Sequence, residues 1–136
     1  MILIRILMVL LIVSFSVSAQ QCLEARILEG GIRRHASKKV MPIFPEDARK
    51  EKSAGVAVAQ IRLDERGTLT SVEVLQAPHS SIGRNTVEAI KQWVFEVHWG
   101  KDEKPICFVG KLTFYFVIEN GKGYVRDPEK FRNDSQ

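Results

Sequence analysis

The sequence predicts an α+β domain, a two-layer sandwich in which a short helix precedes a β-β-α-β run and a three-stranded antiparallel sheet carries the main helix. Three observations predict it. Between Ser80 and Val94, the residues Val87, Ile90 and Val94 recur at helical spacing with Ala89 and Trp93 beside them, while Glu88, Lys91 and Gln92 take the other side. After a charged turn from Gly100 to Lys104 the period falls to two: Leu112, Phe114, Phe116 and Ile118 alternate with Lys111, Thr113, Tyr115 and Val117, a strand with one dry face. Upstream, Gly55 to Val74 reads as a hairpin, which supplies the rest of the sheet. Trp93 and Phe95 stand where helix gives way to loop, so their rings lie over the sheet and set how the layers pack.

In chain order, Met1 to Ala19 has the form of an export leader. Arg5 supplies a positive start, Ile6 to Val17 is apolar apart from Ser14 and Ser16, and Val17-Ser18-Ala19 offers small residues for cleavage before Gln20. The apolar run is shorter than the ~18 residues that span a bilayer, which favours cleavage over an uncleaved anchor. Export places Cys22 and Cys107 in an oxidising compartment, where they form either one disulfide or two unpaired thiols. Residues 20–41 read as a flexible basic arm, with Arg33, Arg34, His35, Lys38 and Lys39 on a solvated face and Gly30-Gly31 as a breaker.

The folded unit is expected over 42–119. Pro42-Ile43-Phe44-Pro45 is held extended by its prolines, and the acids after Pro45 start a short helix with Ala48 facing inward. Ala57, Ala59, Ile61 and Leu63 point one way and Val58, Gln60 and Arg62 the other. Asp64 to Gly67 makes the tight turn, and the uneven spacing of Leu69, Val72 and Val74 predicts a bulge near Ser71. Ser81 is the expected N-cap of the main helix. Residues 120–136 read as a frayed polar tail with Tyr124 and Phe131 as anchors.

Composition narrows the function classes. The net charge is +4 with pI near 9.2, but bases and acids are interleaved and no nucleic-acid motif appears, so nucleic acid is not expected as a partner. His35, His79 and His98 lie far apart, and no third ligand accompanies the cysteines, so no metal is expected. Ser80 and Ser81 show no base or oxyanion partner in the sequence, no glycines form a phosphate loop, and neither an enzyme nor a cofactor is predicted.

The motifs in order are Pro42-Ile43-Phe44-Pro45 with Ala48, Leu63-Asp64-x-x-Gly67, Ser80-Ser81, Ala89-Ile90, Trp93-x-Phe95 and Leu112-x-Phe114-x-Phe116. Together they resemble the C-terminal domain of TonB-family energy transducers, with a leader and short arm where full transducers carry a membrane anchor and proline-rich spacer. Pro42, Phe44, Pro45, Asp64, Gly67, Trp93 and Phe95 are the motif residues. The resemblance implies a periplasmic domain that binds an extended segment of an outer-membrane TonB-dependent transporter, or another envelope protein, by β-augmentation. It places the docking edge on the final strand, at Lys111, Thr113, Tyr115 and Val117. The alternative is a structural module that pairs the same edge with its own copy as a homodimer. Membrane contact is expected only through a partner or an uncleaved leader.

Overall fold

The computed structural model describes residues 22–129. The leader, the first residues of the arm and positions 130–136, with the expected anchor Phe131, lie outside the described residues. The α+β class stands. In order, the elements are β1 (Glu24–Arg26), α1 (Glu29–Arg34), β2 (Ala36–Lys38), α2 (Glu46–Lys50), β3 (Gly55–Leu63), β4 (Leu69–Gln76), α3 (Ser80–Ile90), β5 (Val94–Phe95), β6 (Cys107–Glu119) and β7 (Lys122–Arg126).

The three predicted strands form the middle of the sheet. β3 pairs antiparallel with β6 from Gly55↔Phe116 to Leu63↔Phe108, and with β4 on its other side. Period-two alternation buries Ala57, Ala59, Ile61 and Leu63 of β3 against Leu112, Phe114 and Phe116 of β6. The hairpin closes as expected: the Asp64 carboxylate accepts from the N–H groups of Arg66 and Thr68 at 2.9 and 2.8 Å. Gly67 has φ +82°, and a Cβ there would stand 2.9 Å from the Phe95 carbonyl oxygen. Gly67→Ala should therefore cost about 1–2 kcal/mol from the left-handed backbone alone, more if the Phe95 contact cannot yield, measured as a shift in urea midpoint. β4 carries two bulges, one between Ser71 and Leu69 and one between Val74 and Gln76.

Three expectations need correction. The sheet has five strands, because β1 adds in parallel to the start of β6 and β7 adds antiparallel to its end. Residues 20–41 are thus not simply a flexible arm: Glu24–Lys38 holds β1, α1 and β2, and β2 makes a second small sheet with β5. Nor is the tail wholly frayed. Asn120 and Gly121 both take positive φ (51° and 73°), the signature of a tight type I′ hairpin, and return the chain as β7.

The main helix is also shorter than its stripe suggested. α3 ends at Ile90 in a tight turn, with Trp93 N–H donating to the Ile90 carbonyl at 3.0 Å, so Val94 leaves the helix, joins β5 and is 46% exposed. The buried stripe is Ile82, Thr86, Ala89 and Ile90, with Trp93 following it. Its N-cap is His79, not Ser81: the ring Nδ1 accepts the Ser81 backbone N–H at 3.1 Å. α2 begins after Pro45 as predicted and buries Ala48 completely.

Candidate functional site

The expected docking residues lie on the outer edge of β6, opposite β3. Backbone groups of a strand point alternately to its two neighbours, and Thr113 N–H and C=O point outward here, as do those of Tyr115 and Val117 in the same alternation. A free edge would leave these groups to a partner. In this structure the edge is occupied, which corrects the expectation of a bare β6.

The occupation has three parts. At the start of β6, β1 pairs with Cys107, Phe108 and Val109, extended by Ile27 N–H donating to the Val109 carbonyl at 2.9 Å. In the middle, side chains do a strand's work. The Glu29 carboxylate accepts from Thr113 N–H at 2.7 Å and from its hydroxyl at 2.9 Å, while Arg33 Nη2 donates to the Thr113 carbonyl at 2.8 Å. At the end, β7 pairs Tyr115↔Arg126, Val117↔Tyr124 and Glu119↔Lys122. Of the four predicted edge residues, Lys111 is exposed between these parts, Thr113 is held by α1, and Tyr115 and Val117 face β7.

Arg33 is what sequence reasoning missed. Read as one charge of a solvated cluster, its side chain is 1% exposed. Its guanidinium donates to Glu29 at 2.8 and 3.0 Å and to Asp127, just past β7, while lying 5.5 Å from the Trp93 ring centre and 5.3 Å from that of Phe114. A buried cation requires such compensation, and here it gets two carboxylates and two aromatic faces. The Glu29/Arg33 spacing of four was the one local signal, and it fits a surface helix as well. α1 can come this close because β6 has Gly110: a Cβ there would stand 2.5 Å from Ile32.

Cys22 and Cys107 are joined in a disulfide, which ties the chain before β1 to the first residue of β6. It closes a sequence separation of 85 residues, so its loss should cost about 2–5 kcal/mol. Reductant should lower the Tm of the wild type and leave that of Cys22→Ser unchanged. Among the described residues, one group brings three ligand atoms within 4.8 Å of one another, Cys22, Glu65 and Cys107, and both its sulfurs are spent in the disulfide.

The motif residues serve packing. Phe44 meets Phe116 edge-on at 5.5 Å, Trp93 meets Phe114 edge-on at 6.1 Å and Phe95 at 5.9 Å, and Trp93 Nε1 donates to the Val40 carbonyl at 2.8 Å. Pro42 is buried ahead of them, and Pro45 stands in extended backbone at the N-cap position of α2.

A second cluster joins α2 to α3. His79 Nε2 lies 2.7 Å from Glu51, and its Nδ1 lies 2.7 Å from the Ser81 hydroxyl. The residue types suggest a proton relay, but Nδ1 is already the acceptor for the Ser81 N–H, so the ring serves as a helix cap clamped by Glu51. Asp47 is held below the usual carboxylate range, chiefly by the Ser81 hydroxyl and then by the Ala48 N–H. A depressed pKa stabilises the fold above the unfolded value and loses that contribution as pH falls through the native one. The Tm difference between wild type and Asp47→Asn should therefore be present at pH 7 and shrink below about pH 4.

The sheet's opposite border is the outer side of β4. Beside it, Val74, Leu75, Ala77, Gly83 and Val87 line an open apolar groove of about 600 Å³ between β4 and α3. Bulges at both ends of β4 leave a regular run of only Ser71 to Val74, a device that discourages strand addition.

No curated protein sequence matches the chain. Residues 40–118 match the family described as Gram-negative bacterial TonB protein C-terminal, so β1, α1, β2 and β7 are additions outside the matched unit. Domains of that family are non-enzymatic interaction modules of energy transduction and transport, act with envelope proteins such as transporters, and are envelope-associated. Among the described residues no helix is long and apolar enough to cross a membrane. With more than half its length matched and the β-β-α-β core in place, this chain belongs to the TonB C-terminal family.

Proposed function

We propose that this chain is a periplasmic interaction domain that takes an extended segment of an outer-membrane transporter, or another envelope protein, as an added strand on the outer edge of β6. One observation carries the reading: segments outside the family unit, from both ends of the chain, already lie on that edge as strands. The edge is therefore able to accept strands in both directions, and backbone pairing gives grip without demanding a full side-chain match. β7 is the easier occupant to exchange. It is the last described strand, so no later described strand has to move with it, and no disulfide adjoins it. β1, by contrast, adjoins the disulfide.

Tyr115→Pro tests this directly, because it removes an outward N–H from β6 while the inward ladder to β3 uses the alternate residues. Affinity for the partner segment is expected to fall about tenfold or more, as an edge bond and strand geometry are lost, with the far-UV helix signal retained. Unchanged affinity would mean that β6 is not the docking edge. A homodimer paired through the same edge is the competing outcome; sedimentation velocity would show it as a concentration-dependent dimer that the partner segment dissociates.

A further inference from the structure

β7 sits in the slot as a strand of known sequence, so its contacts show what the slot reads. Two of its positions and the residue just after it face the core side at period two. Gly123, opposite Ile118, lies against Phe44, where a Cβ would stand 2.6 Å from the ring. Val125, opposite Phe116, packs on the apolar core. Asp127, just beyond the strand, is 6% exposed and accepts from Arg33. Between them, Tyr124 and Arg126 take the opposite face.

We propose that the slot selects its partner segment by this same pattern, a small residue, then an apolar one, then a carboxylate at every second position, with Phe44, the core beside Phe116, and Arg33 as the three readers. This rests on the β6 docking reading above and specifies the chemistry of the segment it takes. The carboxylate is the strongest requirement. When β7 leaves, Asp127 goes with it, and the buried guanidinium keeps only Glu29 and the Thr113 carbonyl. A segment without an acid at that position leaves a desolvated cation under-compensated; one with an acid restores the pair. The small residue is set by shape, since a branched side chain there must push Phe44 off Phe116. β7 thus acts as a built-in competitor that any partner must outmatch.

The test uses the full chain carrying Asp127→Asn, which weakens the hold on β7 while leaving Arg33 in place. Hydrogen exchange at the Tyr115, Val117 and Glu119 amides is expected to quicken about tenfold or more over wild type, as a charge-assisted bond is lost. Tyr124→Pro serves as a second route to release, because it withdraws a β7 N–H without touching Arg33. A synthetic peptide of the β7 sequence, Lys-Gly-Tyr-Val-Arg-Asp, should then restore protection at those amides. The same peptide with its Asp replaced by Asn, or its Gly by Val, should bind about tenfold or more weakly. Equal protection by all three peptides would overturn the selection pattern and leave β6 docking standing. Quickened exchange that none of the peptides reverses would overturn both. Exchange unchanged in both variants would overturn the claim that Asp127 and β7 guard the slot.

Discussion

Arg33→Ala is expected to lower stability by about 3–5 kcal/mol, because it leaves buried carboxylates without their cation. The guanidinium is held by Glu29, Asp127 and the Thr113 carbonyl, and the side chains of both acids are mostly buried, at 26% and 9% exposed. Removing it leaves two carboxylates without their shared cation and a void over the faces of the Trp93 and Phe114 rings. For a domain of this size the loss corresponds to a fall in Tm of about 15 °C, seen by calorimetry, and it approaches much of the usual total stability. Arg33→Lys should recover little, since a point charge cannot bridge two carboxylates, a carbonyl and two rings in the way a planar fork does. The cycle of Arg33→Met with Asp127→Asn should show a coupling of about 1–3 kcal/mol. A near-wild-type melt for Arg33→Ala would mean that the guanidinium is solvated and that α1 does not close the β6 edge.

Trp93→Ala is the other large effect, expected at about 3–5 kcal/mol. The ring is 4% exposed, lies edge-on to Phe114 and beside Phe95, and has Arg33 over its face. Truncation empties the space where the end of α3 meets the sheet and also strips the Val40 carbonyl of its donor. Trp93→Phe separates the two contributions: it keeps an aromatic filler and loses the hydrogen bond, so about 1–2 kcal/mol of the penalty should remain. The Arg33 and Trp93 substitutions touch the same stack and should combine less than additively. A melt for Trp93→Ala close to wild type would show that the indole is an exposed platform, not part of the core.

How much of this was legible in the sequence depended on the range of the interaction that set each feature. The dry face of β3, the Asp64 to Gly67 turn, the β4 bulge near Ser71 and the start of α2 at Pro45 each follow from a few neighbouring residues, and each appears as read. The end of α3 was misread for a local reason, since Val94 continues the 3.6-residue stripe by one more turn although the chain has already left the helix. β7 had a hairpin signal in Asn120-Gly121, but its polar composition resembled a tail. Arg33 differed from Arg34 only in having Glu29 four residues before it, which fits an exposed helix face equally well; its other acid is 94 residues away, and nothing in a basic run says which member will be buried.

By itself, the order of the apolar residues determined the class of this domain, its β-β-α-β core and the strand that closes it, because alternation and helical stripes are written within a dozen residues of each other. Only the tertiary structure decided whether that strand was bare. An edge's hydrogen-bonding groups can be met by any segment that reaches them, and here the segments come from both ends of the chain, closed by one buried arginine.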